Sequence, residues 1–468
     1  PHTIPHAMSR PPNIVIFFTD QQRWDTCGCY GQRLTITPNL DAFAATGVRF
    51  EHAFTCQPVC GPVRAAIQTG VYPTSVGCHV NHKMLPLDAD TVAKRMQAAG
   101  YQCGYIGKWH LASFGSRGGA DDFTKSAVPP ERRGGWDHYW LASDVLEGTS
   151  RGYGGHMFDA EGKRREFDEQ TYRVDALTEW TLEYMDTLSA DKPFFTFVSY
   201  LEPHHQNNQK RFEGPHGSKE KWAEFDVPGD LVDTGGDWRE HYPDYLGCCH
   251  ALDKAFGLVL NKLRELKCLE NTLVIFTSDH ACHFRTRNAE YKRSCHDNSI
   301  RIPMVISGPG FRRGHISGAL ISNLDLPATC LRAAGLDVPS GWHAIPAQDL
   351  CAGVAERQEL LVQISEDHCG RAMRSKRWTY SVRAPGWPWD WTAMSASCAV
   401  YYEDCLYDND ADPHQRVNLA ENAGFMSEHK DLVADLRAKL LACLRAADEP
   451  EPEILAGPVP GLLYSTAV

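Results

Sequence analysis

The sequence predicts an α/β fold, a mixed β-sheet sandwiched by helices, followed by a smaller C-terminal α+β domain containing an antiparallel sheet. Three observations carry this. Short, nearly all-apolar runs rich in β-branched and aromatic residues recur along the chain, as strands covered on both faces require. Segments of helical periodicity lie between them, and strands alternating with helices place helices on both faces of a sheet. After about residue 366 the pattern changes to paired strands and one last helix.

The first strand is Asn13 to Thr19 (NIVIFFT), which ends at Asp20. Similar runs follow at Cys103 to Ile106, Phe194 to Tyr200, Leu273 to Thr277, Pro303 to Ser307 and Leu360 to Ile364. Helical spacing marks Thr91 to Ala99, Tyr172 to Leu188, Tyr245 to Leu266 and Leu324 to Ala334. Residues 112 to 170 and 203 to 243 are rich in Gly, Pro, Trp and charge. They read as long excursions over the sheet edge, the kind that shape a pocket. Arg371 to Val382 and Val400 to Tyr407 read as antiparallel strands, and Leu432 to Ala447 as an amphipathic helix. The expected division is a large domain over 1–366 and a small one over 367–468.

With 468 residues, 43% of them hydrophobic, the chain can bury a large core. The net charge of −12 argues against nucleic acid as a partner. An anionic ligand therefore needs a local pocket of Lys, Arg and His. No apolar run reaches transmembrane length, so no membrane partner is expected. No signal-peptide pattern stands at the N-terminus, where Met8 is the expected native start after a remnant, Pro1 to Ala7. The seventeen cysteines are scattered, Cys248 and Cys249 are adjacent, and no C-x-x-C pair occurs. This spacing suits neither a disulfide framework nor zinc. A cytoplasmic setting is expected, or a periplasmic one if a leader has been removed.

Ligands of open α/β sheets bind beyond the carboxyl ends of the strands. Asp20, Lys108, Glu202 to His205 and Asp279 all follow a predicted strand directly or within a few residues. Asp20-Gln21 and Asp279-His280 offer two carboxylates, an amide oxygen and an imidazole. Oxygen donors suit a hard divalent cation such as Ca²⁺, and the imidazole makes Mn²⁺ a competitor. Residues 60 to 70, CGPVRAAIQTG, hold Cys-x-Pro-x-Arg ahead of an apolar, helix-compatible run. Cys56-Gln-Pro58 begins the same pattern, but Cys60 stands where arginine is required, so only Cys60 qualifies. Without further support Cys60 would read as a buried structural cysteine beside a turn proline.

The Cys60 motif resembles the signature of the formylglycine sulfatases, in which the cysteine is oxidised to 3-oxoalanine (formylglycine). FFTDQQ, CGPVRAAIQTG, GYIGKWHL, EPHH, TSDH and YKRSCHDNSIRIP follow in the family's order, and YYEDCLYDNDADPHQRVNL resembles a strand and turn near the family's C-terminus. From about residue 12 to 445 the chain resembles the type I sulfatases of the alkaline-phosphatase superfamily. The resemblance implies an alkaline-phosphatase-like fold and hydrolysis of sulfuric esters. It implies that Asp20, Gln21, Asp279 and His280 hold the cation, with the group derived from Cys60 as a further ligand. Arg64 would fix the hydrated aldehyde, and Lys108, His110, His204 and Lys292 would surround the sulfate. His204, with Lys292, would protonate the leaving oxygen, and His110 would assist release of sulfate. His205 would face the substrate or support the groups that do.

The chain departs from the pattern at Val63, where Ser, Ala or Thr is usual, and at Ala281, where Gly is common. The Asp-Gln and Asp-His pairs resemble those of choline sulfatases and phosphonate monoester hydrolases rather than animal-type sulfatases. The implied substrate is a small-molecule or oligosaccharide sulfate ester, with a sulfated carbohydrate favoured. Trp136 to Trp140, Trp222, Trp238 and Trp387-Pro-Trp389-Asp-Trp391 are the candidates to stack on sugar rings. The alternative is a phosphonate monoester or phosphate diester hydrolase. A non-catalytic binding protein that never matures Cys60 is a third reading. A formylglycine-generating enzyme is the expected transient partner, and a homo-oligomer is left open.

Overall fold

The computed structural model describes residues 10–388 and 390–460, so the expected start at Met8 lies outside the described residues. Ten strands form the main sheet. In chain order they are β1 (Asn13–Thr19), β2 (Val48–Phe54), β3 (Gln102–Lys108), β4 (Tyr139–Ser143), β5 (Tyr153–Asp159), β6 (Arg164–Tyr172), β7 (Phe194–Ser199), β8 (Thr272–Ser278), β9 (Met304–Ser307) and β10 (His315–Ser322). Their spatial order is β10-β2-β9-β8-β1-β7-β3-β4-β5-β6. β8, β1, β7, β3 and β4 run parallel in the middle, while β9 and β5 reverse direction on either side.

The apolar character of β1 follows from this position. Ile14, Ile16 and Phe18 point into a core on one face, and Val15 and Phe17 into a second core on the other, as the two-residue period of a strand requires. The second core is closed by the helices Arg173–Asp186 and Trp238–Glu265. The first is closed by the helices Cys60–Thr69, Val92–Ala98 and Leu326–Ala333.

A second sheet has the order β11 (Leu360–Ile364), β12 (Gly370–Arg374), β13 (Trp378–Arg383), β14 (Val400–Asp408) and β15 (Glu453–Leu455). The first four strands are antiparallel, and β15 joins β14 in parallel. The helix Lys430–Ala446 packs Leu436, Leu440 and Leu444 into the same core as Met373, Tyr380 and Val382. This sheet touches the segment before Cys60, where Gln363 donates its backbone N–H to the Cys56 carbonyl at 2.9 Å. No helix among the described residues is long and apolar enough to cross a membrane.

Three readings of the sequence change. Leu360–Ile364 is a fully buried strand, but it opens the second sheet rather than extending the first. Burial on both faces also arises where a small sheet is pressed between a helix and a larger domain, and the run of residues is the same. Arg371 to Val382 is two strands with a turn between them. The excursion over 112 to 170 contributes β4, β5 and β6 to the sheet edge. β6 shows why its period was faint: seven of its nine residues are charged or polar, and most are exposed on the rim.

Candidate active site

β8, β1, β7 and β3 are adjacent and parallel, so their carboxyl ends open on one edge of the sheet. Thr19 pairs with Ser278, which makes Asp20 and Asp279 neighbours as the chain leaves β1 and β8. β3 ends on Lys108, and Gly107 pairs with Ser199 at the end of β7. Gly107 has φ +109, and a Cβ there would lie 1.9 Å from the Ser199 carbonyl oxygen. Any side chain would part the two strands and displace Lys108.

The helix Cys60–Thr69, with all ten residues buried, brings Cys60 to this edge at its first position. Cys60 Sγ lies 2.8 Å from Lys292 Nζ, 3.2 Å from His280 Nε2 and 3.6 Å from Asp20 Oδ1. Arg64, four residues on, projects from the same face of the helix. Its guanidinium donates to Asp20 Oδ2 (3.0 Å), Asp279 Oδ2 (3.4 Å), Ser199 Oγ (2.7 Å) and the Lys108 carbonyl (2.9 Å). Arg64 therefore positions both carboxylates, and its hydrogen bonds go to them rather than to Cys60. Val59 gives the helix no side-chain cap. Asn81 supplies it from another loop by accepting the Gly61 N–H at 3.0 Å, and Glu366 holds Asn81 through its backbone N–H (2.6 Å) and its side-chain amide (3.2 Å).

Charge in this buried cluster is arranged around Cys60. Lys108 Nζ is 2.8 Å from Asp20 Oδ2 and 3.4 Å from a Glu147 oxygen. Burial pushes the Cys60 thiol up, but positive charge, led by Lys108 and Lys292, outweighs it and holds it well below the ordinary thiol range. Burial and the thiolate also work against the Asp20 carboxylate, yet Lys108, His204 and Arg64 keep it below its usual value. Burial of Glu147 is likewise overcome, chiefly by Lys108, and its pKa falls to about 2. Asp279 is different: burial and the neighbouring Asp20 charge raise it to about 6.

That imbalance is one sign that the site fits a cation, because two fully buried carboxylates share a single arginine. His280 gives a second. Its Nδ1 faces the Ala281 carbonyl at 3.0 Å; a carbonyl only accepts, so Nδ1 carries the proton and Nε2 presents its lone pair to the cluster. Asp20, Cys60, Asp279 and His280 each offer a donor atom, all within 4.8 Å of one another. Gln21 borders the same cavity, with its amide oxygen engaged by the His205 N–H at 3.2 Å and its buried nitrogen without a partner among the described residues.

The remaining sequence candidates line the same cavity. His204 Nδ1 faces the His205 carbonyl at 2.6 Å, and its Nε2 is 3.2 Å from Lys292 Nζ. His110 is held at φ 62 and donates its N–H to the Asp144 carbonyl at 2.7 Å. His205 stacks on Tyr291 with ring centroids 4.5 Å apart and bonds Asn207. His283 lies behind the site, its Nε2 3.1 Å from the Lys292 carbonyl.

The aromatic reading is corrected. Trp136, Trp140, Trp222 and Trp238 are buried and serve as packing, so they offer no face to a sugar. Trp387 and Trp391 are exposed, and Trp389 lies outside the described residues. Reading the sequence missed Glu147, Asn81 and Glu366. Asn81 and Glu366 lie in loops and Glu147 in a four-residue helix, Leu146–Thr149, too short to show a period, and only the fold carries them to Cys60.

Comparison with known proteins agrees with this geometry. The Sulfatase family pattern matches residues 12–336. An "Ulvan-active sulfatase" of Formosa agariphila is 30% identical over 452 residues, covering 92% of this chain and 81% of its own. An "N-acetylglucosamine-6-O-sulfatase" of Bacteroides thetaiotaomicron is 24% identical over 508 residues, covering 91% and 85%. A solved "4S-sulf" structure from glycosaminoglycan metabolism in the same organism shares the fold at a TM-score of 0.79 and 24% identity, covering 94% of this chain and 97% of that one. With a catalytic-type cluster at the carboxyl ends of four parallel strands and a family match over most of its length, the chain belongs to the sulfatase family, hydrolases of sulfuric ester bonds.

Proposed function

We propose that Cys60 is converted to formylglycine, that Asp20, Gln21, Asp279 and His280 hold Ca²⁺, and that the protein removes sulfate from carbohydrate esters. The observation that supports this most is the convergence of two buried ammonium groups, Lys108 and Lys292, on the environment of Cys60. A structural cysteine needs no such partners, whereas an anion attacked at that position does. The names of the relatives, among them the N-acetylglucosamine-6-O-sulfatase, favour a sugar as the alcohol.

When present, the hydrated aldehyde would supply two geminal hydroxyls and the cation would supply positive charge beside them. The rest falls to the chain's own side chains. Lys108 and Lys292 are fixed cations that stabilise the charge on the sulfate oxygens. The His204 tautomer is set by the His205 carbonyl, so Nε2 of the neutral ring accepts from Lys292. The proton for the leaving alcohol is one taken up at His204 Nε2, in the imidazolium form, and delivered from that atom, so that Lys292 keeps its charge. His110, on the Asp144-anchored turn after β3, is the base that serves release of sulfate.

Peptide mass spectrometry across Cys60 tests the first part, since formylglycine is about 18 Da lighter than cysteine. Parallel assays on 4-nitrophenyl sulfate and a phenyl phosphonate ester test the second. A preference for the phosphonate by orders of magnitude in kcat/KM would overturn the sulfatase assignment, and complete absence of conversion in a maturing host would overturn the covalent group.

A further inference from the structure

Outward from Cys60 the cavity opens between two walls. On one wall Glu290 lies 3.4 Å from Arg293, and Arg293 also pairs with the buried Glu366, so the guanidinium of this wall is already engaged by two carboxylates. The other wall carries His82, His110 and Arg117. Arg117 is exposed and, among the described residues, has no carboxylate partner.

This wall is fixed in place. The His82 carbonyl accepts the Gly115 N–H at 3.0 Å, which ties it to the loop that carries Arg117. Within that loop Gly118 N–H donates to Asp122 Oδ2 at 2.6 Å and Phe114 N–H to the Asp121 carbonyl at 3.0 Å, while Arg132 clamps Asp121 at 2.5 Å. The His82 ring stands nearly perpendicular to that of His110, centroids 6.5 Å apart. His82 also occupies the left-handed region at φ 60. Of the twelve non-glycine residues with positive φ among the described residues, four (Gln21, His82, His110 and Arg293) line this one cavity. Strain of this kind persists where surrounding structure imposes it and collects at functional sites.

We infer that Arg117 and His82 form a second acid-binding subsite at the mouth of the sulfate pocket, so that the preferred substrate carries another anionic group on or next to the sulfated sugar. A carboxylate and a second sulfate share the required chemistry, a planar or tetrahedral anion that accepts from a guanidinium fork and a ring N–H. The overall charge of −12 repels such a polyanion, and the Arg117 guanidinium, with no carboxylate partner among the described residues, opposes that field where the substrate enters. The inference rests on the sulfatase reading above.

The test compares three substrates on protein whose Cys60 conversion has been measured. They are a neutral sugar with one sulfate, the same sugar with two sulfates, and a monosulfated disaccharide containing a uronic acid. The wild type is expected to favour at least one acidic substrate about tenfold or more in kcat/KM, chiefly through KM and less so at high salt. Arg117→Ala and His82→Ala should each shrink that ratio, Arg117→Glu should abolish or invert it, and Arg117→Lys should retain part of it. Loss on the uronate arm alone assigns the subsite to carboxylate, and loss on the disulfate arm alone to sulfate. A wild type without preference for either acidic substrate, or variants that slow all three substrates equally, would overturn the subsite. No hydrolysis of any sulfate ester by fully converted protein would instead defeat the sulfatase reading itself.

Discussion

Lys292 Nζ stands 2.8 Å from Cys60 Sγ although 232 residues separate them in the chain. Lys292 also touches His204 Nε2 and His280 Nε2, at 3.2 and 3.1 Å. On the proposed mechanism this one ammonium would link the reacting position, the leaving-group side and the metal side. Lys292→Ala should lower kcat/KM on a sulfate ester by roughly 10²–10³, the usual cost of losing a donor aimed at developing charge. The effect should be larger for poor leaving groups. Steady-state kinetics on protein with matched Cys60 conversion measures it, and activity within about fivefold of wild type would remove Lys292 from this role.

Removing the divalent cation should destabilise the fold as well as silence it, because Asp20 and Asp279 then face each other, Asp20 held by Lys108 and Arg64 but Asp279 left to Arg64 at 3.4 Å. Chelated and dialysed protein should melt at a lower temperature. Adding Ca²⁺ at about 100 times its Kd should restore roughly 2.7 kcal/mol. Asp279→Asn should abolish the Ca²⁺-dependent part of the shift, and an unchanged shift in that variant would place the cation elsewhere.

Asn81 reaches over to accept the Gly61 N–H, the bond that Val59 cannot provide. Asn81→Ala leaves that donor unsatisfied at the first turn of the Cys60 helix. The expected loss is about 0.5–2 kcal/mol in denaturant unfolding, with kcat falling as Cys60 loses its fixed position. Asn81→Asp keeps the acceptor but sets a carboxylate against Glu366, so it should recover less than full stability.

Glu147 gives a pH dependence with a definite sign. Its carboxyl is lowered from the ordinary 4.5 to about 2, so between these values the unfolded chain binds the extra proton. Its contribution is present above about pH 4.5 and is lost as pH falls toward 2. Across that window stability should drop by up to about 1.4 kcal/mol per pH unit from this group. Glu147→Gln should flatten the slope by that amount, as read from urea unfolding at several pH values. An unchanged slope would mean that Lys108 does not hold the charge of Glu147.

Much of the site was legible because the chemistry sits next to strong local patterns. Asp20 follows NIVIFFT and Asp279 follows LVIFTS, and a strand buried on both faces writes itself as an unbroken apolar run. Lys108 closes a strand in the same way. The aromatic segments misled because a tryptophan in a core and one on a binding surface have the same letter. Trp136 and Trp140 are fixed among Tyr105, Trp109 and Phe197, and only the packing shows it.

By itself the sequence determined the fold class, the fully buried strands β1, β3, β7 and β8 with helices between them, and the residue types able to hold a cation and a sulfate. Each of these depends on local spacing, which the chain carries with it. Only the tertiary structure decided which strands are neighbours, that Arg64 serves the carboxylates, and that Asn81 and Glu366 support the Cys60 helix. It also assigned Leu360–Ile364 to a second sheet and brought Arg117 to the cavity that Glu290 and Arg293 line. Those relationships join residues far apart in the chain, and they exist only once the parallel register has brought the strand ends together.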